Sequence, residues 1–177
     1  MKQKMGNDGA RDWGYVEAGV KEFWQMRHNT GEACPWPELS KEYFEAQSEI
    51  ARVCLAALAR GLKTAEENLV EKMMDPRGDK LVGPSSTIFR FFHYYEGVAA
   101  SRGGVGDDRA LGCLSHTDIG LITLIPATNF PALETMDNIN YSWGMFEHGL
   151  GSRDMMVLCG ETLERLTAFY YPAVVRK

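Results

Sequence analysis

The spacing of apolar positions changes near residue 80. Ahead of that point the chain reads as helical. In YVEAGVKEFWQMR, Tyr15, Val16, Val20, Phe23 and Trp24 fall on one helical stripe. TGEACPWPEL then interrupts the pattern with Gly31, Pro35 and Pro37. SKEYFEAQSEIARVCLAALARGLK follows, with Ser40 as the expected N-cap and Phe44, Ile50, Val53, Cys54, Ala57 and Leu58 along one face. Gly61 suits the stop of that helix. TAEENLVEKMMDP opens with Thr64 and Glu67 in capping-box spacing and ends at Pro76. Beyond residue 80 the runs are short, aromatic and β-branched: SSTIFRFFHYYEG, LITLIP, YSWGMF, DMMVLCG and AFYYPAVV. Gly, Pro, Asn and Asp separate them, and no long helical crossover lies between them. A sandwich or barrel of strands is expected rather than a doubly wound parallel sheet. The expected organisation is an N-terminal helical segment, 1–80, followed by a mainly β core, 81–177, with no internal repeat.

Composition narrows the function classes. A chain of 177 residues, 45% apolar and 24% charged, can bury the core of one ordinary globular domain. The net charge of −5 and the lack of a basic cluster argue against a nucleic-acid partner. No apolar run approaches the roughly 20 residues that span a bilayer. MKQKMGNDGARDWGY has no apolar signal-peptide core. Cys34, Cys54, Cys113 and Cys159 are widely spaced and form no CxxC pair, so reduced, mostly buried thiols are expected. The expected location is intracellular: the cytoplasm first, an organelle second.

The chemistry is concentrated in LSHTDIGLITLIP, Leu114 to Pro126. On a strand, His116 and Asp118 point to one face and Thr117 to the other. An imidazole and a carboxylate on one face suit a divalent first-row metal, and three such ligands on one side leave positions open for substrate and oxygen. The pair equally suits a buried His bonded to a nearby carboxylate, and the spacing leaves both readings open.

The segment HTDIGLITLIP resembles the metal-binding strand of the iron(II)/2-oxoglutarate-dependent oxygenases, in the isopenicillin N synthase-like branch. STIFRFFHYYEG is similar to that branch's Leu-Arg-x-x-His/Tyr-Tyr-Pro strand. PALETMDNINYSW is similar to its Gly-Leu-Glu-Val hairpin leading to a Trp. DMMVLCGETLERLTAFYYPAVV resembles its Asn-x-Gly-Asp-x-Leu-Glu-x-Leu-Thr-Asn-Gly-x-Tyr segment, and VKEFWQMR and PWPE resemble its helical N-terminal region. The resemblance runs over about residues 14 to 177. It implies a double-stranded β-helix, or jelly roll, preceded by helices. It also implies iron(II) and 2-oxoglutarate as cofactors and a small organic molecule as substrate, hydroxylated, desaturated or cyclised. It makes His116 and Asp118 metal ligands, and it makes His93 and Tyr94 candidate cofactor-binding residues.

The chain departs from the family pattern at five places. Arg176 stands in direct register with the third ligand, a His, and a guanidinium is no ordinary metal ligand. The Arg-x-Ser pair that grips the far carboxylate of 2-oxoglutarate would lie beyond Lys177. Ala168 and Phe169 replace the Asn-Gly, and Gly160-Glu161 replaces the Gly-Asp. The family's opening strand and helices have no counterpart, so the chain resembles the middle of the fold, an incomplete jelly roll. Candidates for completing the site are His93, otherwise a core-facing strand residue, and His148, otherwise solvated. Arg90 reads as a structural ion-pair partner, and Glu164 and Arg165 read as solvated residues at a turn.

Two functions follow from different classes. One is an oxygenase acting on a small organic substrate, either as this chain or as part of a longer one. The other is a catalytically degenerate relative serving as a structural or interaction subunit. In the second case AFYYPAVV would form a terminal strand. Phe169, Tyr170, Tyr171, Val174 and Val175 would then present an open edge to a protein partner or a second copy.

Overall fold

The structure is a computed structural model that describes residues 14–18, 21–27, 38–65, 69–76, 85–95, 113–129 and 132–177. Its contacts form two compact units, 1–101 and 102–177.

In the first unit, β1 (Gly14–Ala18) pairs antiparallel with β2 (Lys21–Met26), and β2 pairs antiparallel with β3 (Phe89–Tyr94). The helical stripe expected over Tyr15–Trp24 is therefore a hairpin. Tyr15 faces Trp24 across it, with ring centroids 5.5 Å apart. Tyr, Val, Phe and Trp favour a pleated surface, and cross-strand aromatic pairs reward it. Only two positions in the sequence separate the strands, which is hairpin spacing. The helical period was present in the sequence, but pairing with β3, more than 60 residues downstream, overrides it.

The long helix α1 (Glu38–Gly61) is where the apolar period placed it, although in a different phase. Phe44, Leu55 and Ala59 are its buried residues, whereas Ile50 and Val53 are exposed. Phe44 stacks on Phe89, centroids 5.5 Å apart, so α1 lies against β3 through this aromatic pair. Ser40 lies inside the helix rather than capping it. The left-handed residue at the C-terminal end is Lys63, not Gly61. The Lys63 N–H donates to Arg60 and the Thr64 N–H to Ala59, closing the last turn. Of the helix expected from Thr64 to Pro76, Leu69 is helical, residues 70–73 form a turn and 74–76 are bend or irregular, and Glu67 lies outside the described residues. Asp75 joins this region to β3. Its carboxylate accepts hydrogen bonds from the Ser85 and Ser86 hydroxyls and from the Ser86 and Thr87 N–H groups.

In the second unit, β4 (Ile122–Pro126) pairs antiparallel with β7 (Met155–Cys159), and β5 (Thr135–Asp137) with β6 (Ser142–Gly144). A 3₁₀ turn (Phe146–Gly149) and a short helix α2 (Glu161–Leu166) complete it. Four of the five runs expected to be strands hold one. AFYYPAVV does not: residues 167–171 form turns and bends, and pairing resumes only near Arg176. The Val174 N–H donates to Cys159, Met136 donates to Val175, and Glu134 and Lys177 exchange backbone hydrogen bonds. These carbonyl and amide groups are thus paired within the chain. Phe169 and Tyr170, in the preceding turn, remain 70% and 64% exposed.

Cys54, Cys113 and Cys159 are partly rather than fully buried and lie in no disulfide, while Cys34 lies outside the described residues. Among the described residues no helix is long and apolar enough to cross a membrane.

Candidate functional site

The site is built on the loop Asp118–Leu121, which the N-terminal end of α2 holds in place. The first N–H groups of a helix have no partner inside it. Here they donate outward: Glu161 to the Asp118 carbonyl at 2.8 Å, and Thr162 to the Ile119 and Gly120 carbonyls at 3.1 and 3.2 Å. Gly160 just ahead of the helix donates to Leu121 at 2.9 Å. The approach is so close that a Cβ on Gly160 would fall 2.2 Å from the Gly120 oxygen and 2.8 Å from that of Asp118. The Thr117 hydroxyl adds a hydrogen bond to Glu161 at 2.5 Å, and Thr162 adds one to the Ile119 carbonyl. Glu161, at the position of the family's Asp, therefore secures the loop.

His116 and Asp118 do share a face, although the backbone is not the regular strand expected. His116 sits in an isolated bridge, and β4 begins only at Ile122. His116 Nε2 lies 3.7 Å from Asp118 Oδ1. His116 Nδ1 lies 2.7 Å from the Leu114 carbonyl, which can only accept, so Nδ1 is the nitrogen that donates there and Nε2 is the one that faces Asp118. Thr117 points away, to Glu161.

Arg176 is the residue that this arrangement adds. It exchanges both backbone hydrogen bonds with His116, each 2.9 Å, as a directly opposed antiparallel pair. Its guanidinium reaches both oxygens of Asp118: Nε to Oδ2 at 3.0 Å and Nη2 to Oδ1 at 2.8 Å. Thr123 donates to Oδ2 at 2.7 Å. Partial burial works to raise the Asp118 carboxyl. Hydrogen bonds from Arg176 and Thr123, with the charges of Arg176 and His116, outweigh it and hold the group below its ordinary range. The sequence pointed to Arg176 only as a break in the ligand pattern. Its pairing with Asp118, 58 residues away, and the Thr123 contact carry no local signal.

His93 and Tyr94 belong to the first unit, on β3. His93 is not core-facing: its side chain is largely exposed, and its Nδ1 lies 3.1 Å from Glu22. Glu22 also accepts hydrogen bonds from the hydroxyls of Tyr15 and Tyr95. Lys21 sits 5.5 Å from the centroid of the half-exposed Tyr94 ring. Arg90 donates to Gln25 at 2.9 Å and lies over the Phe23 ring. His148 is exposed in the 3₁₀ turn. Glu164 is not simply solvated, since its carboxylate accepts the Ala173 N–H at 2.7 Å. Among the described residues no cluster of three or more His, Cys, Asp or Glu is placed to hold a metal.

Solved structures share this architecture. A protein provisionally described as an oxygenase, from Shewanella oneidensis, matches 98% of the chain at 18% identity and a TM-score of 0.66. A Neurospora crassa protein, truncated at its C-terminus and in apo form, matches 98% at 17% identity with a TM-score of 0.68. The full-length form of that Neurospora crassa protein, in complex with α-KG and 5-formyluracil, matches 93% at 18% identity with a TM-score of 0.70. The fold is oxygenase-like. The chain spans 61% and 62% of the first two structures. No family model and no curated protein matches the sequence.

The sequence resemblance implies iron and 2-oxoglutarate, and the donors around Asp118 test that implication. Two of them are of a type that suits iron: the imidazole of His116, through Nε2, and the Asp118 carboxylate. The third position holds a permanent cation with no lone pair, already bonded to both carboxylate oxygens. The described residues around Asp118 do not fit the metal.

Proposed function

We propose that the chain is a catalytically silent relative of the 2-oxoglutarate oxygenases, serving as a binding or interaction subunit whose partner is a protein chain. The observation that supports this reading is the two-point contact of Arg176 with Asp118. A guanidinium stays charged at every physiological pH and cannot step aside by losing a proton. A metal entering between His116 and Asp118 would have to break a charge-assisted, two-point pair and then sit beside its cation. The testing experiment is succinate formation from 2-oxoglutarate with iron, ascorbate and oxygen. No succinate above background is expected. Clear production that disappears in Asp118→Ala would overturn the reading.

A second reading keeps the oxygenase activity on a small organic molecule. His116 and Asp118 would be the metal ligands, iron(II) and 2-oxoglutarate the cofactors, and His93 and Tyr94 the cofactor-binding residues. It is favoured by one observation, the orientation of His116, whose Nε2 faces Asp118 while Nδ1 is engaged by the Leu114 carbonyl. The succinate assay separates the two.

A further inference from the structure

We infer that Arg176 is the site's own cation: its guanidinium does electrostatically for Asp118 what a bound divalent ion would do, and it is what keeps such ions out. The inference rests on the reading above and extends it to the selectivity of this one position. A partly buried carboxylate needs a cation or several donors beside it. Asp118 has Arg176 on both oxygens and Thr123 on one. His116, the remaining neighbour, turns Nε2 toward Asp118 at 3.7 Å, beyond hydrogen-bond distance, and directs Nδ1 to the Leu114 carbonyl. The anion is balanced without metal, and the one ordinary ligand beside it is left with nothing to bind.

Arg176 also occupies a defined backbone position. It is directly opposite His116 in a hydrogen-bonded pair, so their side chains rise from the same side of the ladder. An imidazole at that position would replace a fixed positive charge by a neutral nitrogen donor. Two imidazoles and one carboxylate form a recognised donor set for divalent first-row metals. The exclusion of metal is therefore a property of one side chain on a backbone otherwise arranged for binding.

The test titrates cobalt(II) into the whole chain and into Arg176→Gln and Arg176→His, reading the visible absorption of the bound ion and the rise in melting temperature. Neither readout depends on turnover. Affinity is expected to increase in that order, by at least about tenfold at each step. Gln removes the repelling charge, and His then adds a ligand. Adding Asp118→Asn to the His variant is expected to abolish the gain. Equal affinity in the parent and Arg176→His would overturn the inference, as would a gain that survives Asp118→Asn. If Arg176→His fails to fold, the comparison of the parent with Arg176→Gln decides: equal affinity overturns the inference, tighter binding by Gln supports it. Equal affinities in a parent that makes no succinate would overturn this inference and leave the proposed function standing, whereas succinate from the parent would sink both.

Discussion

Replacing Gly160 by Ala tests whether the loop carrying Asp118 is held by the start of α2. The added methyl would lie 2.2 Å from the Gly120 oxygen, 2.9 Å from its carbonyl carbon and 2.8 Å from the Asp118 oxygen. All three are backbone atoms, so no flexible side chain can move aside, and the loop and the helix must separate by roughly an ångström. Gly160 has φ −105°, which alanine adopts freely, so the perturbation is steric. Separation weakens the Gly160–Leu121 and Glu161–Asp118 hydrogen bonds, each 2.8–2.9 Å. At about 1 kcal/mol per hydrogen bond and about 1–3 kcal/mol for overpacking, the loss is about 3–5 kcal/mol. Urea unfolding of Gly160→Ala beside Gly149→Ala measures it. A methyl on Gly149 meets nothing within 4 Å, so that control is expected to stay within about 0.5 kcal/mol of the parent. A loss below about 1 kcal/mol at Gly160 would refute the proposed clamp.

Two further expectations concern the backbone and pH. Ala168 and Phe169 have φ of 48° and 66°, and their N–H groups close the end of α2 onto Arg165 and Glu164. Ala168→Gly is expected to stabilise by about 1 kcal/mol, seen as a higher urea midpoint, because only glycine takes that conformation without strain. Phe169→Gly is expected to act in the same direction, since the ring is 70% exposed and has little burial to lose. The Asp75 carboxyl is opposed by burial but held well below the usual range by hydrogen bonds from Ser85, Ser86 and Thr87. A depressed folded-state value means that the contribution is present above the unfolded carboxylate value near 4 and fades as acid protonates the folded group. Asp75→Asn is accordingly expected to lose about 1–2 kcal/mol at pH 7 from the weakened charge-assisted bonds, and the gap to the parent is expected to narrow toward pH 2 in urea melts.

Much of the second unit was legible in the sequence because its signals are local. LITLIP, DMMVLCG and YSWGMF contain strands since short β-branched and aromatic runs bounded by turn residues have few alternatives. His116 and Asp118 share a face, as their two-residue spacing suggested, although the backbone there is a bridge and bends rather than a strand. The register also singled out Arg176 as the misfit in the ligand pattern. Contacts far apart in the chain decided the rest. Tyr15 to Trp24 has a helical stripe, yet pairing with Phe89–Tyr94 made it a hairpin, because a strand gains cross-strand partners that an isolated helix of that length lacks. The buried face of α1 was set by where Phe89 lies, which no period along the helix contains. AFYYPAVV has strand composition, but the turn through Ala168 and Phe169 spends most of it before pairing resumes. The meeting of Arg176 with Asp118, on which the functional reading turns, spans 58 residues. Only the fold could show it, because an ion pair is a matter of distance in space and local sequence carries no information about that distance.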